Sequence, residues 1–438
     1  SFIATRKDRG VADGEMQKFC ERFLASYKIP IAIHSVDVLP KTSIGKIDLV
    51  ALRQRLEDVL EAQAGSKSFD SDAIPSTRLR DSATPTGHLP VIENAFIPYR
   101  AYWCTPFVRW QGALSHLHSV RLAAHVAALG LDARGVDPGL FDRGVLGMTI
   151  PQQNGFYGLP WLCGLLGAPQ VSGPTIAQAC ATSARVMACA ADEIEMGRSQ
   201  CVLAVTTDRT SNGPHIYYPA PDAPGGTGLH EDWVLDKFSH DPLAGCDMLQ
   251  TAENCAKRWQ VSLEEQNALV MRRYEQYEDA LANKEDGCFQ DRYMLRPLDV
   301  PDAGFRKTIA SLQGDEGIHT TTREGLEKLK PVKDGGTVTY GTQTYPADGS
   351  AGMVIADYEK AHELSQDTGV EIRLISFGQS RVELAMMPAA PIHAATDALV
   401  TAGIKIGDVA AIKSHNPFAV NDIIFARETG VDPEYINN

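Results

Sequence analysis

The sequence predicts an α/β protein in which a sheet-and-helix body follows a small, separate α+β unit. Three observations carry that expectation. From Val91 onward, strand-like apolar runs alternate with helix-like stripes, as a sheet covered by helices requires. Residues 65–90 are poor in large apolar side chains and rich in Ser, Thr, Pro and Gly, which makes them a linker. The length of 438 residues exceeds one ordinary core and fits two to three domains.

The elements follow in order. Met16, Phe19, Cys20, Phe23 and Leu24 recur at helix spacing over 14–26. Residues 31–39 alternate toward a strand ended by Pro40, and Leu49, Leu52, Leu56 and Leu60 line a second helix over 48–61. A flexible linker of this size spans roughly 25–30 Å, so the two parts stay close while moving independently. Beyond it, 147–167 is apolar and Gly-rich, 179–196 is a helix of small residues closed by Gly197, and 201–206 is a buried strand. Residues 208–330 turn polar and read as an insertion over the sheet. One strong helix interrupts them, opened by Ser262 and Glu265 as a capping box and running to about Tyr277. Strand character resumes over 338–357, 372–377 and 409–412, with an amphipathic helix over 391–403.

Composition excludes several classes. A net charge of −14 argues against nucleic acid as a partner, although a local basic patch could still hold a phosphate-bearing small molecule. No run of about 18 uncharged apolar residues occurs, so no membrane span is expected. The nine cysteines are odd in number and form no C-x-x-C pair, so neither a zinc site nor a dithiol redox pair is readable. Most lie in apolar surroundings, as reduced thiols do, and a cytoplasmic location is expected.

Three constellations carry chemistry. The first is Leu39-Pro40-Lys41-Thr42-Ser43-Ile44-Gly45-Lys46-Ile47, a polar Gly loop between a strand and a helix. Alone it is a solvated turn. With Tyr27-Lys28-Ile29-Pro30 before it and Leu52-Arg53 after it, the order resembles the C-terminal lid of adenylate-forming acyl-CoA synthetases over residues 1–64. The resemblance makes Lys46 the lysine that meets the carboxylate and the α-phosphate during adenylation. A compact charge on a long stem suits that task. ATP and magnesium are then expected for a parent ligase module, whose large domain this sequence lacks.

The second is Pro174-Thr175-Ile176-Ala177-Gln178-Ala179-Cys180-Ala181-Thr182-Ser183, which puts a cysteine where a helix of Ala, Ser and Cys begins. Free N–H groups and the helix dipole would depress a thiol pKa there, although by itself such a cysteine is more often packing than nucleophile. Cys189 falls about half a turn further round the same helix and reads as core. The flanks matter more: Phe96-Ile97-Pro98-Tyr99, residues 129–138 and 144–153, Met248-Leu249-Gln250-Thr251-Ala252-Glu253-Asn254, Gly336-Thr337-Val338-Thr339-Tyr340-Gly341 and Asp348-Gly349-Ser350-Ala351-Gly352. In this order they resemble the thiolases over about 91–438. The resemblance implies a layered αβαβα fold, with an N-terminal domain over 91–360 carrying the inserted loop domain, and a C-terminal domain over 361–438. It also implies an acyl group passed from coenzyme A to Cys180. Met248 and Thr344 are positional candidates for coenzyme A contacts, with packing or a solvated loop the plainer reading of each.

The third is Ser414-His415-Asn416-Pro417-Phe418-Ala419 after the 409–412 strand. A lone His at a strand end is usually a hydrogen-bonded structural residue. Here His415-Asn416-Pro417-Phe418 resembles the His-Asp-Cys-Phe motif of the sterol-carrier and lipid-transfer branch of thiolases, which gives His415 an oxyanion role. Asn416 and Pro417 depart from that motif, and Cys180 is followed by Ala181-Thr182-Ser183 where thiolases read Cys-x-Ser-Gly. The end at 430–438 resembles the segment just before the family's Gly-His-Pro motif, so truncation at both ends of a fusion protein is expected. Coenzyme A and acyl-CoA are expected as substrates, with no tightly bound cofactor. A homodimer is expected, formed along a sheet edge that buries Val202 to Val205, and the branch resemblance adds an OB-fold/zinc-ribbon partner. The alternative is a non-catalytic thiolase-like scaffold that binds coenzyme A.

Overall fold

A computed structural model describes residues 2–4, 34–36, 40, 91–220, 226, 228–282 and 287–437. The chain divides into two compact units, Ser1–Pro85 and Thr86–Asn438. In the first, β1 (Phe2–Ala4) pairs in parallel with β2 (His34–Val36), inside the stretch expected as a strand. The two helices expected there, the loop with Lys46 and the linker lie outside the described residues.

The second unit opens with β3 (Tyr102–Cys104) and β4 (Val108–Arg109), then α1 (Ser119–Asp132), β5 (Arg143–Gly147), α2 (Gly158–Leu166), β6 (Thr175–Ile176), α3 (Thr182–Glu195) and β7 (Cys201–Asp208). The region expected as an insertion holds the hairpin of β8 (His215–Tyr218) and β9 (Leu229–Asp232), α4 (Leu235–Ser239), α5 (Met248–Trp259) and α6 (Leu263–Leu281). It ends with a second hairpin, β10 (Leu298–Pro301) and β11 (Thr308–Leu312), and α7 (Arg323–Glu327). Then come β12 (Ala347–Ala356), α8 (Tyr358–Leu364), α9 (Ala390–Ala402) and α10 (Ala419–Thr429).

The central sheet runs β3-β12-β7-β5-β6, with β4 also on β12. β7 is parallel to β5 and antiparallel to β12, and alternate residues of it feed two cores. Leu203 and Val205 pack with α1 through Leu122, Val126 and Ala127. Val202 and Ala204 pack with α3 through Val186, Ala190 and Ile194. Each of the large apolar side chains buried there contributes roughly 1.5–3 kcal/mol. This placement corrects the expectation that Val202 to Val205 form a sheet edge. An apolar run buried on both faces belongs to the middle of a sheet, and the strands at the two ends of the order are β3 and β6.

Local signals held where they were self-contained. Ser262 and Glu265 form both bonds of the capping box. Gly197 takes φ +63°, its N–H reaching Ile194 O at 2.9 Å while Arg198 N–H reaches Glu193 O at 3.0 Å, the two bonds that close a helix with a left-handed glycine. Three expected strands shrink. β12 begins at Ala347 because the backbone before it is satisfied by side chains: Glu253 accepts from the N–H groups of Thr337 and Val338, and Thr342 from that of Thr339. Residues 372–377 meet the 92–97 segment through one bridge, Arg373 to Phe96, and a few backbone bonds, and 409–412 pairs only at Ile412 with Ile436. A further core joins α5, α9 and α10 through Cys255, Ile392, Ile424 and Phe425.

Candidate active site

The chain leaves β6 and turns sharply before α3. Ala179 adopts φ +44°, a left-handed conformation that a residue with a Cβ takes only under constraint. Thr182 supplies the constraint: its Oγ1 accepts from Gln178 N–H at 2.8 Å and donates to the Ala179 carbonyl at 2.7 Å. The backbone N–H groups of Ala181 and Thr182 close onto Gln178 O and Ala179 O. This elbow carries Cys180 outward, two residues ahead of the first helical position. Gly147, at the end of β5, lets the helix come this close, since a Cβ there would lie 2.7 Å from both Thr182 Cγ2 and Val186 Cγ2.

Cys180 faces a cavity of about 790 Å³. Its floor is the carboxyl ends of β5 and β7 with the start of β12, and its far wall comes from Trp233, Val234, Phe238 and Pro242 around α4. Met248, the first residue of α5, completes the lining. Asp247 caps that helix by accepting from Gln250 N–H at 2.6 Å and pairs with Lys333 Nζ at 3.0 Å. Asp208 ends β7 and ties the floor together, accepting from the N–H groups of Thr149 and Ile150 at 2.9 Å each and from the Thr149 hydroxyl at 2.5 Å. Burial raises its carboxyl pKa and those bonds oppose the shift.

The thiol behaves differently from expectation. Cys180 is free and exposed into the cavity, yet the walls displace water from its sulfur, and that desolvation raises its pKa above the ordinary value. The opposing influence is its own backbone N–H. Lying ahead of the helix, the sulfur gains too little from the helix terminus to offset an apolar surround. The other thiols separate as their burial dictates. Cys163 and Cys201 lie in the core, with pKa values pushed up to about 11 and about 12 by burial, and Cys189 packs at the edge of it. Cys255, inside the region expected as a polar insertion, is fully buried in α5.

The structure places the remaining sequence-derived residues in a second group. Thr344 N–H donates to the Pro417 carbonyl at 2.7 Å and Gln343 bridges to Phe418, so the loop before β12 is stitched to the His415 segment. His415 is exposed, and partial desolvation of its ring lowers its pKa against the pull of Asp422. On either side of it, Ser414 and Asn416 both donate to the Asp422 carboxylate, which also receives Asn437 at 3.1 Å and Arg273 Nε at 3.0 Å. Cys180 and Met248 therefore share one cavity, whereas His415 and Thr344 are not among its lining residues, and Lys46 lies outside the described residues. Sequence reasoning missed Asp208, Trp233 and His240 in the lining. Only Asp208 left a signal, a carboxylate closing an apolar strand. Among the described residues no group of three or more His, Cys, Asp or Glu could hold a metal, and no helix is long and apolar enough to cross a membrane.

A six-stranded sheet between helices, with a cysteine raised on an elbow at its carboxyl ends, defines a class. Residues 101–359, more than half of the chain, match the family model "Thiolase, N-terminal domain". The chain belongs to the thiolase family, and its fold is the thiolase fold. An acetyl-CoA acetyltransferase of Shinella zoogloeoides is 29% identical over 336 residues, spanning 75% of this chain and 82% of the relative. Human mitochondrial 3-ketoacyl-CoA thiolase, solved with CoA, superposes with a TM-score of 0.70 at 23% identity, covering 80% of this chain and 86% of its own. The Bacillus anthracis acetyl-CoA acetyltransferase gives 0.69 at 25% identity over 80% and 86%.

Proposed function

We propose that this chain is an acyl-CoA acyltransferase of the thiolase type, working through an acyl group on Cys180. The observation that carries the reading is the elbow: a solvent-reached thiol held by Thr182 in a strained turn, facing a cavity large enough for a thioester substrate. In thiolysis the Cys180 sulfur bonds to the β-carbonyl carbon of a β-ketoacyl-CoA. The bond between the α and β carbons breaks, and the departing carbanion takes a proton to leave acetyl-CoA. A second coenzyme A then displaces the acyl group from sulfur. Run backward, the same steps make a Claisen condensation. Met248 packs beside the incoming thioester and Thr344 lies on the coenzyme A side.

His415 serves the reacting carbonyl as an oxyanion donor. Its sequence context supports placement in the sterol-carrier branch, and with it an OB-fold partner. The protein forms a homodimer through β6, the strand that ends the sheet beside Cys180, with Phe156 (96% exposed) and Tyr157 nearby as apolar cover. Residues 1–64 act separately as a ligase lid, with Lys46 meeting ATP and magnesium. That part rests on the order of Tyr27-Lys28-Ile29-Pro30, the Leu39 to Ile47 loop and Leu52-Arg53. The body comprises an N-terminal domain over 91–360 and a C-terminal domain over 361–438.

Coenzyme A-dependent cleavage of an acetoacetyl or longer 3-ketoacyl thioester, followed by loss of enolate absorbance, tests the reading. The wild-type chain should turn over and Cys180→Ala should fall to background. A Cys180→Ala variant as active as wild type would defeat it.

A further inference from the structure

Gln178 is the residue from which the Cys180 elbow springs. Its N–H donates to Thr182 Oγ1 at 2.8 Å and its carbonyl accepts from Ala181 N–H at 3.0 Å, so its backbone is spent on the turn itself. Its side chain is held from outside the turn. The carboxamide oxygen accepts from Arg185 Nε at 2.8 Å, and the carboxamide NH₂ donates to Gln379 Oε1 at 3.4 Å. Arg185 Nη2 donates to the same Gln379 oxygen. The guanidinium carbon of Arg185 also lies 4.5 Å from the centre of the Phe377 ring, close enough for a cation to rest on an aromatic face.

The 377–379 segment is a firm anchor. Gly378 sits so close to α9 that a Cβ on it would collide with Ala394 O and come within 2.8 Å of Ala398 N. On either side of it, Ser376 Oγ donates to Ala398 O at 2.8 Å and Ser380 Oγ to Ala390 O at 2.7 Å. A line of contacts thus runs from α9 through Gln379 and Arg185 to Gln178, and on through Thr182 to the turn that carries Cys180. The elbow needs such an anchor, because Ala179 holds φ +44°, where a residue with a Cβ stays only when its neighbours are fixed. Arg suits the joint. Its planar fork offers Nε to one acceptor and Nη2 to another while its face covers a ring, and the single ammonium of Lys cannot do all three.

We propose that Arg185 is a positioning residue for Cys180: it straps the elbow to the 377–379 segment and so fixes where the thiol points when a thioester arrives. Gln178, Arg185 and Gln379 are not among the residues lining the cavity, so the effect passes through the elbow and not through contact with substrate. The proposal rests on Cys180 being the acyl acceptor, and its test separates the two ideas.

The experiment compares the full chain with Arg185→Met, Arg185→Lys, Gln379→Leu and the double variant Arg185→Met/Gln379→Leu. Arg185 and Gln379 lie outside every core cluster. Four quantities are read for each: kcat and KM for thiolysis of acetoacetyl-CoA, Tm by calorimetry, and the rate of Cys180 alkylation by iodoacetamide at neutral pH, followed by peptide mass spectrometry. Arg185→Met and Gln379→Leu should each lose about 10- to 100-fold in kcat, as a misplaced nucleophile does, with KM and Tm little changed. The double variant should lose no more than either single one, since both cut the same strap. Arg185→Lys should recover part of the loss. Alkylation should quicken in Arg185→Met and Gln379→Leu, because a loosened elbow lets water reach the sulfur, even as acyl transfer slows. Unchanged kcat in either single variant overturns the proposal, and so do losses that multiply in the double variant. A loss confined to KM, or one matched by a fall in folded protein, also overturns it. A wild type without turnover or acyl adduct defeats the acyltransferase reading; alkylation that then quickens in both single variants supports the strap, and alkylation that does not change overturns it as well.

Discussion

Asp422 is the residue whose loss the second half of the protein should feel most. Its carboxylate has no exposed surface and receives Arg273, Ser414, Asn416 and Asn437, joining α6, α10 and the His415 segment at one point. Asp422→Asn keeps the shape, removes the charge and turns an NH₂ group toward donors. Removing one partner of a buried ion pair costs about 3–5 kcal/mol. Here Arg273 keeps two other acceptors, Gln276 Oε1 at 2.8 Å and Pro433 O at 3.1 Å, and is 16% exposed. The lower end, about 3 kcal/mol, is therefore expected. Over a unit of roughly 350 residues, at about 2 cal/mol/K of unfolding entropy each, that is a fall in Tm of about 4 °C. Calorimetry measures it directly, with Glu193→Gln as a control. Glu193 pairs with Arg198 on the surface, 2.9 Å apart, where less than about 1 kcal/mol is at stake. Because Ser414 and Asn416 bracket His415, thiolysis should drop in Asp422→Asn well below its loss of folded protein. An Asp422→Asn variant within about 1 kcal/mol of wild type would refute the reasoning, since the hub would then carry no net stability.

Two further outcomes follow from single sites. His118 caps α1, with Nδ1 accepting from Val120 N–H at 3.2 Å and Nε2–H donating to Gln153 O at 2.6 Å, so the neutral ring is the one that fits. Its pKa lies below the ordinary 6.5, first through burial and then through Arg209 and Arg121, against the bond to Gln153. The folded state therefore binds fewer protons than the unfolded state below pH 6.5, and the stability present above that pH is lost as pH falls through the folded value. His118→Ala should cost about 1 kcal/mol at pH 8 and less at pH 5 by urea titration, and an equal cost at both would contradict this. Gly147→Ala should destabilise by about 1–3 kcal/mol and loosen the elbow, because its Cβ would meet Thr182 and Val186 at 2.7 Å. A neutral result in a denaturant series would show that α3 moves freely.

What the sequence made legible was local or repeated along the chain. The Ser262–Glu265 cap and the Gly197 helix end depend on neighbours within a few positions and stand where the pattern placed them, whereas the small-residue helix expected from 179 begins at Thr182 and leaves Cys180 outside it. The rest depended on distant partners. Val202 to Val205 could be read as a buried strand, but that β5 and β12 flank it on both sides is a long-range fact. The late start of β12 is due to Glu253, 84 residues from Thr337. The direction of the Cys180 shift was misread because the helix start was visible and the cavity walls, contributed by Trp233 and its neighbours, were not. His240 left no signal, since a lone histidine in a polar loop joins the cavity lining only when the chain folds.

The central claim is that Cys180 accepts the acyl group. Incubating the full chain briefly with acyl-CoA, quenching in acid and mapping peptides by mass spectrometry measures this at residue level. One acyl adduct is expected, on the peptide containing Cys180, lost in Cys180→Ala and removed by added coenzyme A. No adduct at all, or an adduct on the partly exposed Cys246 in place of Cys180, would contradict it.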